Sequence, residues 1–69
     1  MRLNLEAERG RLQMTKEHLA ESVGISSKTY SNYVSGKSPI PSDVLLRFTE
    51  LFNCTADYLL EEHIKTNAS

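Results

Sequence analysis

Residues 15–36 read Thr15-Lys16-Glu17-His18-Leu19-Ala20-Glu21-Ser22-Val23-Gly24-Ile25-Ser26-Ser27-Lys28-Thr29-Tyr30-Ser31-Asn32-Tyr33-Val34-Ser35-Gly36, and their order punctuates two helices with almost nothing between them. Thr15 can cap a helix over 16–23, with Glu17 in its first turn and Leu19 and Val23 on one face. Gly24 suits the left-handed position that closes such a helix. Ser26 can then cap a further helix that begins directly after Ile25, turns Tyr30, Tyr33 and Val34 inward, and stops before Gly36. Ala20 is small where the two helices would cross, and Leu19, Val23, Ile25, Tyr30 and Tyr33 would fill the angle between them.

Two short helices joined by a tight Gly-containing turn are the ingredients of a helix-turn-helix. The outward face of the second helix would be Ser27, Lys28, Ser31 and Asn32, with Ser35 just beyond. These small or hydrogen-bonding side chains could enter a major groove. A plain helical hairpin carries the same inner pattern, so spacing by itself leaves both readings open.

Outward from this pair the chain continues as helix. A first helix is expected from about Leu3 to Leu12, with Leu5 and Leu12 on one stripe and Gly10 costing about 1 kcal/mol of propensity relative to Ala. Ser38-Pro39-Ile40-Pro41 is a rigid, extended connector. Ser42 is placed to cap a fourth helix, in which Val44, Leu45, Phe48, Leu51 and Phe52 follow the helical period. Thr55 is placed to cap a fifth over Ala56 to about His63, with Leu59 and Leu60 for the core. β-branched residues never alternate as a strand requires, so the expected fold is all-α, five helices in one domain over 1–65, with 66–69 fraying.

Composition narrows the function. A chain of 69 residues, 39% apolar and 25% charged, has the balance of one small globular domain. The single Cys54 allows no internal disulfide, and no second thiol or histidine cluster accompanies it for zinc. Neither a signal peptide nor a membrane span is expected, which places the protein in the cytoplasm. His18 and His63 are far apart, and no nucleophile has a base at helical spacing. No enzyme activity, cofactor, metal or small-molecule substrate is therefore expected. The net charge of −1 gives no general licence for nucleic-acid binding, but its distribution is uneven. Residues 1–37 carry Arg2, Arg9, Arg11, Lys16, Lys28 and Lys37 against Glu6, Glu8, Glu17 and Glu21. Residues 38–69 carry Arg47 and Lys65 against Asp43, Glu50, Asp57, Glu61 and Glu62. The first part could face an anion more easily than the second.

Ala7-Glu8-Arg9, the run Met14 to Glu21, Gly24-Ile25-Ser26, Thr29 to Tyr33, Gly36-Lys37 and Asp57-Tyr58-Leu59-Leu60 together resemble the Cro and lambda-repressor-like helix-turn-helix proteins, often called XRE-type. The resemblance spans about residues 3–62. It implies a five-helix domain, usually dimeric, whose third helix reads base edges in double-stranded DNA while helix 2 and the loop after helix 3 hold phosphates. By position Ser27, Lys28 and Asn32, with Ser31 beside them, would meet bases. Lysine can donate to guanine, and asparagine can pair bidentately with adenine. Lys16 stands where relatives usually have a phosphate-binding Gln, and Thr15, Lys37 and Ser38 are the other phosphate candidates.

The sequence departs from the family pattern at Val34, where a Glu usually pairs with an arginine of helix 1, matched here by Arg9. Without that Glu, Arg9 needs main-chain carbonyls, another carboxylate or water. Tyr58 and Ile64, on or after helix 5, are candidates for a homodimer interface. The implied function is a sequence-specific regulator, a repressor that occupies a palindromic operator. An antitoxin that also binds a toxin protein is the alternative, and a module that uses the fold for protein contact alone is the third reading.

Overall fold

The structure, a computed structural model, describes residues 1–62. Five helices follow one another: α1 Leu3–Arg11, α2 Lys16–Val23, α3 Ser27–Ser35, α4 Ser42–Phe52 and α5 Ala56–Leu60. The described residues contain no strand.

Local chemistry sets most of the boundaries. The Thr15 hydroxyl accepts the His18 amide at the start of α2, Ser26 accepts that of Thr29 at the start of α3, and Thr55 accepts that of Tyr58 at the start of α5. Each satisfies an amide that the first helical turn leaves without a partner. Gly24 and Gly36 close α2 and α3 at φ 79° and 86°, a left-handed conformation that would cost a Cβ-bearing residue about 1–2 kcal/mol.

Two boundaries differ from the sequence expectation. Ser42 is the first residue of α4 and caps nothing with its side chain; Pro41, extended at φ −60° and ψ 151°, holds the N-cap position and its carbonyl accepts Leu45 N at 2.9 Å. A proline has its φ preset for that place, so the helix begins one residue sooner than a serine cap would allow. Helix α5 ends at Leu60 rather than near His63, which lies outside the described residues, as do Ile64 and the expected frayed tail. The Tyr58 carbonyl, which a longer helix would offer to residue 62, accepts the Asn4 side-chain amide at 2.7 Å and Glu61 N at 3.4 Å, and Glu61 leaves the helical region at ψ 126°.

The core joins all five helices. Leu5 of α1, Leu19, Ala20 and Val23 of α2, Tyr30 and Tyr33 of α3, Val44, Phe48 and Phe52 of α4, and Leu59 of α5 are buried. Phe48 anchors the centre, stacked on Phe52 with ring centroids 5.8 Å apart and tilted against Tyr30 at 6.2 Å. Leu12, Ile25, Val34 and Leu45 pack on this cluster from its edge. Leu60, expected in the core, is 37% exposed, because adjacent helical residues point about 100° apart and Leu59 holds the inward position. Leu51 is likewise at the surface.

Candidate nucleic-acid interface

Helices α2 and α3 pack directly on each other, and the turn at Gly24 is fixed from outside by Arg47 of α4, whose Nη1 donates to the Val23 carbonyl at 3.0 Å. That bond satisfies a carbonyl at the C-terminus of α2, where the helix dipole also favours a cation. The Arg47 guanidinium sits so close to Gly24 that an added Cβ would lie 3.3 Å from it.

The four candidate base readers of α3 lie at positions i, i+1, i+4 and i+5 of one helix, a spacing that shares a face. Lys28 and Ser31 are exposed, and Ser27 and Asn32 are half-buried. The backbone carbonyl of Asn32 is heavily used, accepting Lys37 N at 3.0 Å, Ser38 N at 3.4 Å and Ser35 Oγ at 3.2 Å. The loop carrying Lys37 and Ser38 is thereby folded against the end of α3. At the other end of the pair, Thr15 and Lys16 are exposed at the N-terminus of α2, where backbone amides point outward.

The use of cations divides by residue type. All four arginines bond other groups of the chain, although Arg11 and Arg47 stay exposed: Arg2 with the Tyr33 and Ser38 carbonyls, Arg9 with Glu6 and the Met14 carbonyl, Arg11 with Glu8 and the Phe52 carbonyl, and Arg47 with the Val23 carbonyl. Lys16, Lys28 and Lys37 are exposed and form no ion pair with any described residue. All three belong to the α2–α3 unit and its following loop. The acidic residues of α1 are matched by arginines of the same helix, Glu6 by Arg9 and Glu8 by Arg11, each at 2.8 Å.

Arg9 resolves what Val34 leaves open. Its Nε and Nη2 take both carboxylate oxygens of Glu6 at 3.0 and 2.8 Å, and Nη1 donates to the Met14 carbonyl at 2.8 Å. The Tyr30 hydroxyl donates to the same carboxylate. The Arg9 hydrogen bond is the main cause holding the Glu6 carboxyl below its ordinary range, against the opposing effect of burial. The signal for this pairing was present as Glu6 and Arg9 at i, i+3, but nothing local points to Tyr30.

The remaining candidates lie elsewhere. His18 is exposed. Cys54 and Tyr58 line a groove of about 530 Å³ together with Glu8, Arg11 and Phe52. The Tyr58 hydroxyl donates to Glu8 at 3.2 Å, and burial pushes the Cys54 thiol up from its ordinary value.

A helix-turn-helix carried by a five-helix domain is the class of protein that this geometry defines. The helix-turn-helix family model matches residues 5–59, and the chain belongs to that family, of the XRE type that includes the Cro and lambda-repressor-like proteins. It is a DNA-binding transcription regulator of that type. No curated protein and no solved structure matches the chain. No helix among the described residues is long and apolar enough to cross a membrane.

Proposed function

We propose that the protein is a sequence-specific repressor that binds a palindromic operator as a homodimer in the cytoplasm. Helix α3 enters the major groove, where Lys28 and Asn32 read base edges and Ser27 and Ser31 assist, while Thr15, Lys16, Lys37 and Ser38 hold phosphates on either side. The observation that carries this reading is the placement of Lys16, Lys28 and Lys37, exposed and without ion pairs among the described residues, on one structural unit of a chain whose net charge is −1. An exposed cation that forms no ion pair within the fold is available for counterion release at a polyanion. One domain reading a few base pairs buries too little surface for specific binding, so two copies are proposed, with Tyr58 and Ile64 at their contact.

Footprinting on the DNA immediately upstream of the gene tests the proposal, with sedimentation of the protein–DNA complex alongside. Protection of two half-sites by two copies supports it. A 1:1 complex at saturating protein removes the dimer, and the absence of salt-dependent DNA binding leaves the toxin-binding or protein-contact reading instead.

A further inference from the structure

Arg2 lies outside residues 5–59, the stretch matched by the family model, yet it makes the densest set of long-range bonds to the DNA-facing unit. Its backbone amide donates to the Val34 carbonyl at 2.7 Å, and its Nη1 bridges the Tyr33 carbonyl at 2.7 Å and the Ser38 carbonyl at 2.9 Å. Its Nε stands 3.3 Å from Glu62 Oε2, and only 12% of its side chain is exposed. Arg2 thus counts in the charge of the chain but is not available to a phosphate. What it holds is the segment between Tyr33 and Ser38, where α3 ends, the backbone reverses at Gly36, and Lys37 is presented. The two carbonyls it bridges belong to opposite ends of that reversal. The backbone closes this turn in part, through Gly36 N on the Tyr33 carbonyl at 3.3 Å and Lys37 N and Ser38 N on the Asn32 carbonyl, and Arg2 adds the link from the helix end to the Ser38 carbonyl.

We propose that Arg2 is a positioning residue for DNA binding: it sets the angle between α3 and the Lys37–Ser38 loop, so that base reading and phosphate holding are in register. The proposal rests on the assignment of Lys37 to a phosphate made above. Because Glu62 at the end of the described chain pairs with the same guanidinium, the clamp also ties the segment after α5 to the DNA-facing loop.

The experiment is the salt dependence of operator binding for the wild-type protein, Arg2→Lys, Lys37→Ala and the double variant, with thermal unfolding of each. Arg2→Lys keeps the charge and loses the planar fork that bridges two carbonyls. Each phosphate contact contributes about 0.9 to the slope of log Kobs against log salt. Lys37→Ala is expected to lower the slope by that amount, Arg2→Lys to lower it by a measurable part of that amount, and the double variant to fall no further than Lys37→Ala alone. Arg2→Gln repeats the measurement with the clamp removed entirely. If Arg2→Lys lowers the melting temperature but leaves the slope intact, Arg2 is a structural residue only and the proposal fails. An additive loss of about 1.8 in the double variant overturns it equally. If Lys37→Ala itself leaves the slope unchanged, the phosphate contact and the coupling fall together, whereas DNA binding with no salt dependence in the wild-type protein removes the functional reading first.

Discussion

The Tyr30 hydroxyl of α3 donates its hydrogen bond to the Glu6 carboxylate of α1, and Arg9 grips the same carboxylate through two nitrogens while its third reaches the Met14 carbonyl ahead of α2. Three segments that are separate in sequence are thereby fixed by one ion. The Tyr30 ring is fully buried against Phe48, so its hydroxyl has few alternatives. Tyr30→Phe keeps the ring and removes the donor. A hydrogen bond to a charged group contributes about 1.5–3 kcal/mol, and because Glu6 keeps 28% of its side chain exposed, a loss near 1.5 kcal/mol is expected in urea unfolding, with an unchanged m value.

The same couple shapes the pH dependence of stability at both ends. Glu6 is held below its ordinary 4.5, so in the window beneath that value the unfolded chain binds a proton that the folded chain refuses. Its contribution is complete above about 4.5 and is lost as the pH falls through the folded value. Tyr30 is pushed well above its ordinary 10.0, first by burial and then by Glu6, so its contribution is complete below about 10 and is lost as the pH rises further. Unfolding midpoints measured across pH should show Glu6→Gln flattening the acid limb and Tyr30→Phe flattening the alkaline one.

Val34→Glu introduces the carboxylate that relatives usually carry, but Arg9 is already committed to Glu6 and Met14. Val34 packs at the edge of the core, where an unpaired polar group costs about 1–3 kcal/mol. A lower melting temperature is the expected outcome. An unchanged or raised one would mean that Arg9 leaves Glu6 for the new partner.

Gln13, the second residue after the end of α1, adopts φ 56°, the left-handed region that a side chain disfavours by about 1–2 kcal/mol. Gln13→Gly relieves that strain and in return loosens the unfolded chain. A net gain of about 0.5–1 kcal/mol is expected in thermal unfolding. Since Gln13 is exposed, lost contacts offset little of it.

Base reading and phosphate holding separate by substitution. Asn32→Ala should cost about 1–3 kcal/mol on the operator and far less on a scrambled duplex, shrinking specificity. Lys16→Ala should weaken both duplexes alike and lower the salt slope by about one. Titrations of both variants on both duplexes at several salt concentrations give the comparison. Equal weakening by Asn32→Ala on the two duplexes would show that α3 does not read sequence at that position.

The features legible in the sequence are those decided within one or two helical turns. Thr15, Ser26 and Thr55 each cap an amide three residues on, and Gly24 and Gly36 supply a left-handed turn by themselves, so helix starts and stops could be read from neighbouring residues. The periodic apolar positions from Leu5 to Leu59 likewise state which face turns inward, which is enough for an all-α fold. The i, i+3 pairs Glu6–Arg9 and Glu8–Arg11 were legible in the same way, but the long-range arginine partners were not. Arg2 meets Ser38, Arg11 meets Phe52 and Arg47 meets Val23 through main-chain carbonyls, acceptors that every residue carries and no sequence pattern marks. Asn4 meets the Tyr58 carbonyl near the end of α5 through the same kind of contact. Charge counting treated Arg2, Arg9 and Arg11 as equals of Lys16, Lys28 and Lys37, whereas the fold ties each of these arginines to carboxylates and main-chain carbonyls and leaves the three lysines without an ion pair among the described residues. A planar guanidinium can satisfy several carbonyls at a helix end and an ammonium cannot do so as well, but which helix end comes within its reach is decided only when the five helices meet.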